Sequence, residues 1–404
     1  MSFNDWKLVR LGDICIVNQK TYSLSENWPF VNYLDTGNVT ENRIYDIQHI
    51  VIGQDALPSR ARRKVDIDDI IYSTVRPNQK HYAIIKNKLP NMLVSTGFAV
   101  ITVDKKVADS DFVYYFLTQT SIVDKLHSIA EQSVSTYPSI KPSDIENIEL
   151  MLPPLDEQKQ IGCLFRILDD KIAINTAINQ RLEQIAQAIF KSWFVDFEPF
   201  GGEMPSDWQE VPLSEVVEIN TKTLNPQSCP DVIMEHYSIP AFDENRLPVF
   251  EAASEIKSNK YIVDKDCFLI SKLNPATKRI WRPYCISSYP VCSTEFIVYR
   301  AKDPAHKDFY YAVIDSPAFT DFLLSHITGS TGSRQRAIPS ETLSFTVVLP
   351  PDDIIDCFCD KVAAIYALFE QNYLEILRLR QIRDTLIPRL MSGELFVADL
   401  KDIT

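Results

Sequence analysis

Glycine is scarce in this chain. Only 10 of its 404 residues are glycine, and none stands in a GxGxxG string or a Walker-type loop. The sequence therefore offers no glycine-rich cradle for a dinucleotide, S-adenosylmethionine or ATP. No HExxH or GxSxG string occurs, and the six histidines are dispersed, so metalloprotease and serine-hydrolase chemistry lack their usual residues. The eight cysteines form no CxxC pair. Cys357 and Cys359 stand two apart on a helical segment and face different sides, so no metal ligand is expected. No run approaches the roughly 18 apolar residues of a membrane span, and Met1 to Arg10 lacks a secretory pattern. A reduced, cytoplasmic chain is expected. Positive charge is also in short supply: 41 Lys and Arg face 54 Asp and Glu, for a net charge of −13. That balance weighs mildly against a nucleic-acid binder unless basic loops concentrate the cations locally.

What the sequence does contain is itself, twice. "DWKLVRLGDICIVN" (Asp5 to Asn18) returns as "DWQEVPLSEVVEIN" (Asp207 to Asn220). "KVDIDDIIYSTVRP" (Lys64 to Pro77) returns as "IVDKDCFLISKLNP" (Ile262 to Pro275), and "VSTGFAVITV" from Val94 aligns with "VCSTEFIVYR" from Val291 at Ser95/Ser293 and Thr96/Thr294. The only two Pro-Pro pairs, in "LMLPPLDEQKQIGCLF" (Leu150 to Phe165) and "VVLPPDDIIDCFCDKV" (Val347 to Val362), close the series. Ordered matches with slightly drifting offsets mark a tandem duplication. In each copy, short apolar runs such as "IIYSTV" (Ile70 to Val75) and "GFAVITV" (Gly97 to Val103) read as strands. "SDFVYYFLTQT" (Ser110 to Thr120) and "HKDFYYAVIDS" (His306 to Ser316) read as short helices. The fold class expected is α/β, as mixed α+β globules without regular βαβ alternation.

A long helix follows each globule. Asp156 and Asp352 are placed to cap it after the Pro-Pro pairs. From there a 4-3 spacing runs Ile161, Phe165, Leu168, Ile172, Asn175, Asn179, Leu182, Ala186, Ile189, Trp193. The second copy repeats it as Phe358, Val362, Ile365, Phe369, Asn372, Ile376, Leu379, Arg383, Leu386, Leu390. Four heptads in register predict a paired coiled coil. Asn175 and Asn372 share one seam position, where a buried amide can fix register. Pro199 with Gly201-Gly202 is expected to end the first helix, and Pro388 to kink or end the second. If equivalent seams face each other, the helices pair antiparallel with pseudo-two-fold symmetry, and each spans roughly 58 Å at about 39 residues. The organisation predicted is a globule over 1–152, a helix over 153–198, a globule over 199–349, and a helix with a tail over 350–404.

With that plan in view, "LPPLDEQKQI", "INQRLEQIAQAIFKSWFVDF" (Ile178 to Phe197) and "IRDTLIPRLMSGEL" (Ile382 to Leu395) closely resemble the specificity (S) subunit of type I restriction-modification enzymes. The likeness covers the whole chain and is most specific in the helices. It implies two tandem target recognition domains, each reading one half of a bipartite double-stranded DNA site. It also implies that the paired helices set the spacing and dock two adenine-N6 methyltransferase (M) subunits, joined by motor and nuclease (R) subunits. S-adenosylmethionine and ATP with Mg are then expected in the partners, with no cofactor, metal or catalytic residue in this chain and no membrane contact. Neither Pro-Pro pair follows Asn or Asp, so the [DN]PP[FY] string of such methyltransferases is absent. Pro230-Asp231 with Glu255-Ile-Lys257 is nuclease-like only by coincidence, since the first copy has Asn32-Tyr33 and Leu57-Pro58-Ser59 there.

DNA reading needs basic and amide-bearing loops that reach phosphates and base edges. In the first copy "SRARRK" brings Arg60, Arg62, Arg63 and Lys64, and "RPNQKH" brings Arg76, Asn78, Gln79 and Lys80. In the second copy "SKLNPATKRIWR" brings Lys272, Asn274, Lys278, Arg279 and Arg282. "TGSTGSRQR" adds Ser330, Ser333, Arg334, Gln335 and Arg336, and its counterpart "EQSVSTY" holds Ser133, Ser135, Thr136 and Tyr137. Any single cation here can be an ordinary solvated surface residue, and Tyr137 or Trp281 an ordinary core aromatic. The weight lies on acid-poor loops at equivalent places in both copies. A different class remains open, a structural scaffold whose end domains bind proteins, which salt-sensitive, sequence-dependent DNA binding would exclude.

Overall fold

The computed structural model describes residues 5–132, 138–328 and 335–400. It divides into two compact units, residues 1–173 with 378–404, and residues 174–377. The chain passes between them inside its two long helices.

In the first unit an antiparallel sheet runs in the order Cys15–Val17, Phe98–Val103, Ile70–Ser73, Tyr82–Ile84. A second sheet runs Gln48–Val51, Phe30–Leu34, Met92–Ser95, Ala61–Lys64, with its two middle strands parallel. The continuous apolar run Ile70-Ile71-Tyr72 is explained by burial on both faces. Ile70, Tyr72, Ala99 and Ile101 point into one core together with the helices Ser110–Leu117 and Thr120–Glu131. Ile71, Phe98 and Val100 point into another, toward the second sheet. A short ladder, Lys7–Arg10 with Glu149–Leu152, ties the start of the chain to the approach to the first long helix.

The second unit repeats this topology. One sheet runs Val217–Ile219, Phe296–Ala301, Cys267–Ser271, Ile280–Trp281. The other runs Thr223–Leu224, Lys260–Ile262, Pro290–Ser293, Ile233–Tyr237, Val249–Ala252, again with one parallel pair in the middle. The ladder Gln209–Pro212 with Thr346–Leu349 and the helices Lys307–Ile314 and Pro317–Ser325 complete it. Trp281 is core: it is 4% exposed and meets Tyr237, Phe242 and Phe296. The copies differ where the first has the hairpin Val39–Thr40/Arg43–Ile44 and the second the helix Ile239–Asn245.

Each long helix has 40 residues, Leu155–Phe194 and Asp352–Met391. None of the twenty seam positions is exposed. Within the second unit the helices pair antiparallel. Asn372 donates to Asn179 Oδ1 at 3.0 Å, Asn179 to the Phe369 carbonyl at 3.2 Å, and Asn175 to Glu375 at 2.7 Å. Within the first unit Arg383 donates to Asp169 at 2.7 Å. The amide ladder therefore joins Asn372 to Asn179, while Asn175 bonds Glu375, because antiparallel pairing sets a seam residue against a neighbour of its own counterpart. The helix ends also serve the globules: Ile161 and Phe165 lie in a core of the first unit, and Phe190, Phe194, Phe358 and Val362 in a core of the second.

Two expectations about helix ends need correction, and a third in part, since Pro388 does not end its helix. The first intrahelical bonds are accepted by the Pro154 and Pro351 carbonyls, so neither acid is a cap. Asp156 and Asp352 lie in the first turn, where negative charge suits the helix dipole. The first helix stops at Phe194, before Pro199, and the turn that follows uses positive φ at Phe197, Gly201 and Gly202. The second helix runs through Pro388 to Met391. Burial of Leu390 and Met391 in a core of the first unit holds this last turn in place. Gly162 is a close-approach site. A Cβ there would stand 2.7 Å from Asp109 Oδ1, the group that caps helix Ser110–Leu117 through the Phe112 amide.

Candidate nucleic-acid interface

Two segments far apart in sequence meet at one place in each unit, through the same bonds. In the first unit Val75 bridges Ser139, the Arg76 amide donates to the Pro138 carbonyl at 3.0 Å, and the Thr74 amide to the Gly97 carbonyl at 2.8 Å. In the second, Leu273 bridges Arg336, the Asn274 amide donates to the Gln335 carbonyl at 2.9 Å, and the Lys272 amide to the Glu295 carbonyl at 2.9 Å. A buried serine locks each turn. Ser73 Oγ donates to the Val75 carbonyl at 2.9 Å and accepts from its amide at 3.2 Å. Ser271 makes the matching pair with Leu273 at 2.9 and 3.1 Å. Arg76 and Asn274 both adopt φ of +47°. Such a left-handed position is uncommon outside glycine, and Asn tolerates it better than Arg. The backbone frame is thus duplicated to the level of single bonds, while the side chains on it differ.

On this frame the "RPNQKH" segment forms a tight turn, Pro77–Gln79, with Arg76, Asn78 and Gln79 exposed. Lys80 pairs with Glu41 at 2.7 Å. Burial alone would raise the Glu41 carboxyl, but Lys80, Arg380 and Arg383 together hold it below its usual value. "SRARRK", expected as a loop, is largely strand. Ala61–Lys64 pairs with Met92–Ser95 on one side, and the Tyr22 amide reaches the Arg62 carbonyl on the other. Arg60 is exposed, whereas Arg62 and Arg63 are half-buried, and burial lowers the Arg63 guanidinium. Lys64 pairs with Glu26 at 2.5 Å and lies over Trp28.

In the second unit Lys272 and Asn274 are half-buried at the junction and Lys278 is exposed beside Asp315. Arg279 grips Asp243 through two bonds of 2.5 and 2.8 Å. Arg282 is turned inward instead of out. Its side chain is only 16% exposed, it stands 2.6 Å from Asp308 outside linear hydrogen-bond geometry, and it stacks on Tyr366 at 4.2 Å. Gln335 is half-buried, and Arg336 is exposed on the short strand Arg336–Ala337 that pairs with Ile327–Thr328. Ser133, Ser135, Thr136, Tyr137, Ser330, Ser333 and Arg334 lie outside the described residues.

The acids at these sites escape a sequence reading. Glu26, Glu41, Asp315, Asp243 and Glu295 lie 36 to 41 residues from the cations they hold. The loops are acid-poor in sequence but not in space. Among the described residues no group of His, Cys, Asp or Glu is arranged to hold a metal ion, and no helix is long and apolar enough to cross a membrane.

Residues 4–184 match the family model of the type I restriction modification DNA specificity domain. Over 97% of its length the chain is 27% identical to the HindI specificity subunit of a type I restriction enzyme from Haemophilus influenzae, all of which is covered. Over 98% it is 24% identical to the MjaIX specificity subunit from Methanocaldococcus jannaschii, covering 95% of that protein. The crystal structure of the type I restriction-modification S subunit from M. genitalium shares the fold, with a TM-score of 0.54 at 15% identity over 96% of both chains. A specificity-domain match that covers the first copy, and full-length relatives that cover both, agree with the duplicated frame: the chain is similar along its whole length to the specificity subunits of type I restriction-modification systems.

Proposed function

We propose that this chain is the non-catalytic, sequence-reading subunit of its complex, and that each unit reads one half of a bipartite double-stranded DNA site. The paired helices set the separation of the halves and dock two adenine-N6 methyltransferase subunits, to which motor and nuclease subunits add. S-adenosylmethionine and ATP with Mg belong to those partners, and the complex works in the cytoplasm. The observation that supports this reading is the junction built twice from the same backbone bonds with different side chains. A constant frame with variable side chains suits two readers of different base sequences. The first copy offers Arg76, Asn78 and Gln79, and the second Lys272, Asn274 and Gln335. Arg and Lys pair with guanine and Asn or Gln with adenine, each good pair being worth about 1–3 kcal/mol of discrimination.

Co-purification with a methyltransferase partner tests the assignment. The isolated chain is expected to transfer no methyl group, and the complex to methylate adenines within one site made of two base blocks at a fixed gap. Methyl transfer by the isolated chain, or a single contiguous block, contradicts it.

A further inference from the structure

Among the described residues of the second unit's junction loop and strand, the exposed Lys278 and Arg336 and the largely buried Arg279 are each held by an acid of the same unit. Arg336 Nε and Nη2 reach the Glu295 carboxylate at 3.1 and 3.4 Å. Arg279 grips Asp243 with Nε and Nη2, and Lys278 meets Asp315. The first unit is built differently at the matching positions. Gly97 makes the backbone contact that Glu295 makes, and Ser139 stands where Arg336 does. Arg60, Arg62 and Arg63 form no ion pair among the described residues, and Arg62 Nη1 and Arg63 Nε are buried without a hydrogen-bond partner.

We propose that Glu295, Asp243 and Asp315 are specificity-setting clamps that hold the second unit's cations away from stray phosphates. The inference rests on the DNA-reading function above. A random duplex offers these cations only phosphates. A cation already neutralised by a neighbouring carboxylate releases fewer counterions on reaching a phosphate, so it contributes less of the sequence-independent affinity. An exposed ion pair such as Arg336–Glu295 is weak enough to open. A cognate half-site adds base contacts that a random duplex lacks, and these favour the open arrangement. The clamps thus lower non-specific binding more than specific binding. They also reconcile a net charge of −13 with a DNA-reading surface. In the first unit Lys64 and Lys80 are held by acids as well, and the exposed Arg60 carries the salt-sensitive anchoring.

The test uses the complex that the full 404-residue chain forms with its methyltransferase subunits and random-sequence duplexes of about 30 base pairs, titrated between roughly 50 and 300 mM salt. Each freed cation that reaches a phosphate steepens the plot of log affinity against log salt by about 0.9. The double variant Asp243→Asn, Glu295→Gln is expected to steepen it by about 2 and to bind random duplex roughly tenfold more tightly at the low-salt end. Glu295→Gln alone is expected to give about half that change, which keeps the test intact if the double variant does not fold. Adding Arg336→Gln and Arg279→Gln to the double variant should return the slope to its original value. If the complex of the unaltered chain binds duplex and neither acid variant changes the slope, the clamp is wrong and the DNA-reading function stands. If the complex of the unaltered chain binds no duplex at any salt, the DNA-reading function falls and the clamp with it.

Discussion

Phe358→Ala is expected to cost about 3–5 kcal/mol of stability. Phe358 is fully buried at the start of the second long helix, among Phe190, Trp193, Phe194 and Phe309 at ring distances of 5.2 to 6.3 Å. Truncation removes contacts both to the facing helix and to the helix Lys307–Ile314, so the seam and the globule loosen together. At roughly 2–4 °C per kcal/mol for a unit of this size, the melting midpoint should fall by about 6–20 °C. Ile174→Ala, at a position that is 56% exposed on the first long helix, should change it little. A loss below about 1 kcal/mol for Phe358→Ala, against the cost usual for a buried aromatic, would mean the two helices are not joined there as described.

Lengthening the helix pair by one heptad should change the DNA spacing that the complex accepts. The antiparallel pairing fixes where the inserts must go: directly across from each other, after Leu182 and after Leu368, so that the Asn179–Asn372 bond keeps its partners. Seven residues add about 10.5 Å at 1.5 Å per residue, equal to about three base pairs. Three base pairs also rotate a half-site by about 100°. The expected result is either a preferred gap about three base pairs longer or loss of activity, with the bases of each half unchanged wherever activity survives. Full activity at the original gap would show that these helices do not set the distance.

Apolar periodicity made most of the fold legible. The seam was readable because the seven-residue spacing persists from Ile161 to Trp193 and from Phe358 to Leu390, and every position on it is buried or half-buried. The strands were readable because runs such as Ile70-Ile71-Tyr72 are buried on both faces. Sequence could not say which amides meet, because the offset of an antiparallel pair depends on how the globules seat the helix ends; hence Asn372 meets Asn179. It also misread "SRARRK", where four cations suggested a solvated loop and ladder bonds to Met92–Ser95 make a strand. The duplicated junction was anticipated only as loops in equivalent places. Its serine lock uses Ser73 and Ser271, which the repeat aligns, but the bonds they make and the left-handed turn that follows depend on backbone geometry that the alignment does not show. The acids that hold the loop cations come from another helix and other turns, beyond any local window.

The central claim is that two units with one frame read two half-sites independently. Binding-site selection on the assembled complex tests it most directly, with Asn78→Ala, Gln79→Ala in one sample and Gln335→Ala, Arg336→Ala in another. Each lost base contact should cost about 1–3 kcal/mol. The first variant is predicted to relax base preference in one block only, the second in the other block only, with the gap unchanged in both. Equal relaxation of both blocks by either variant would contradict independent reading.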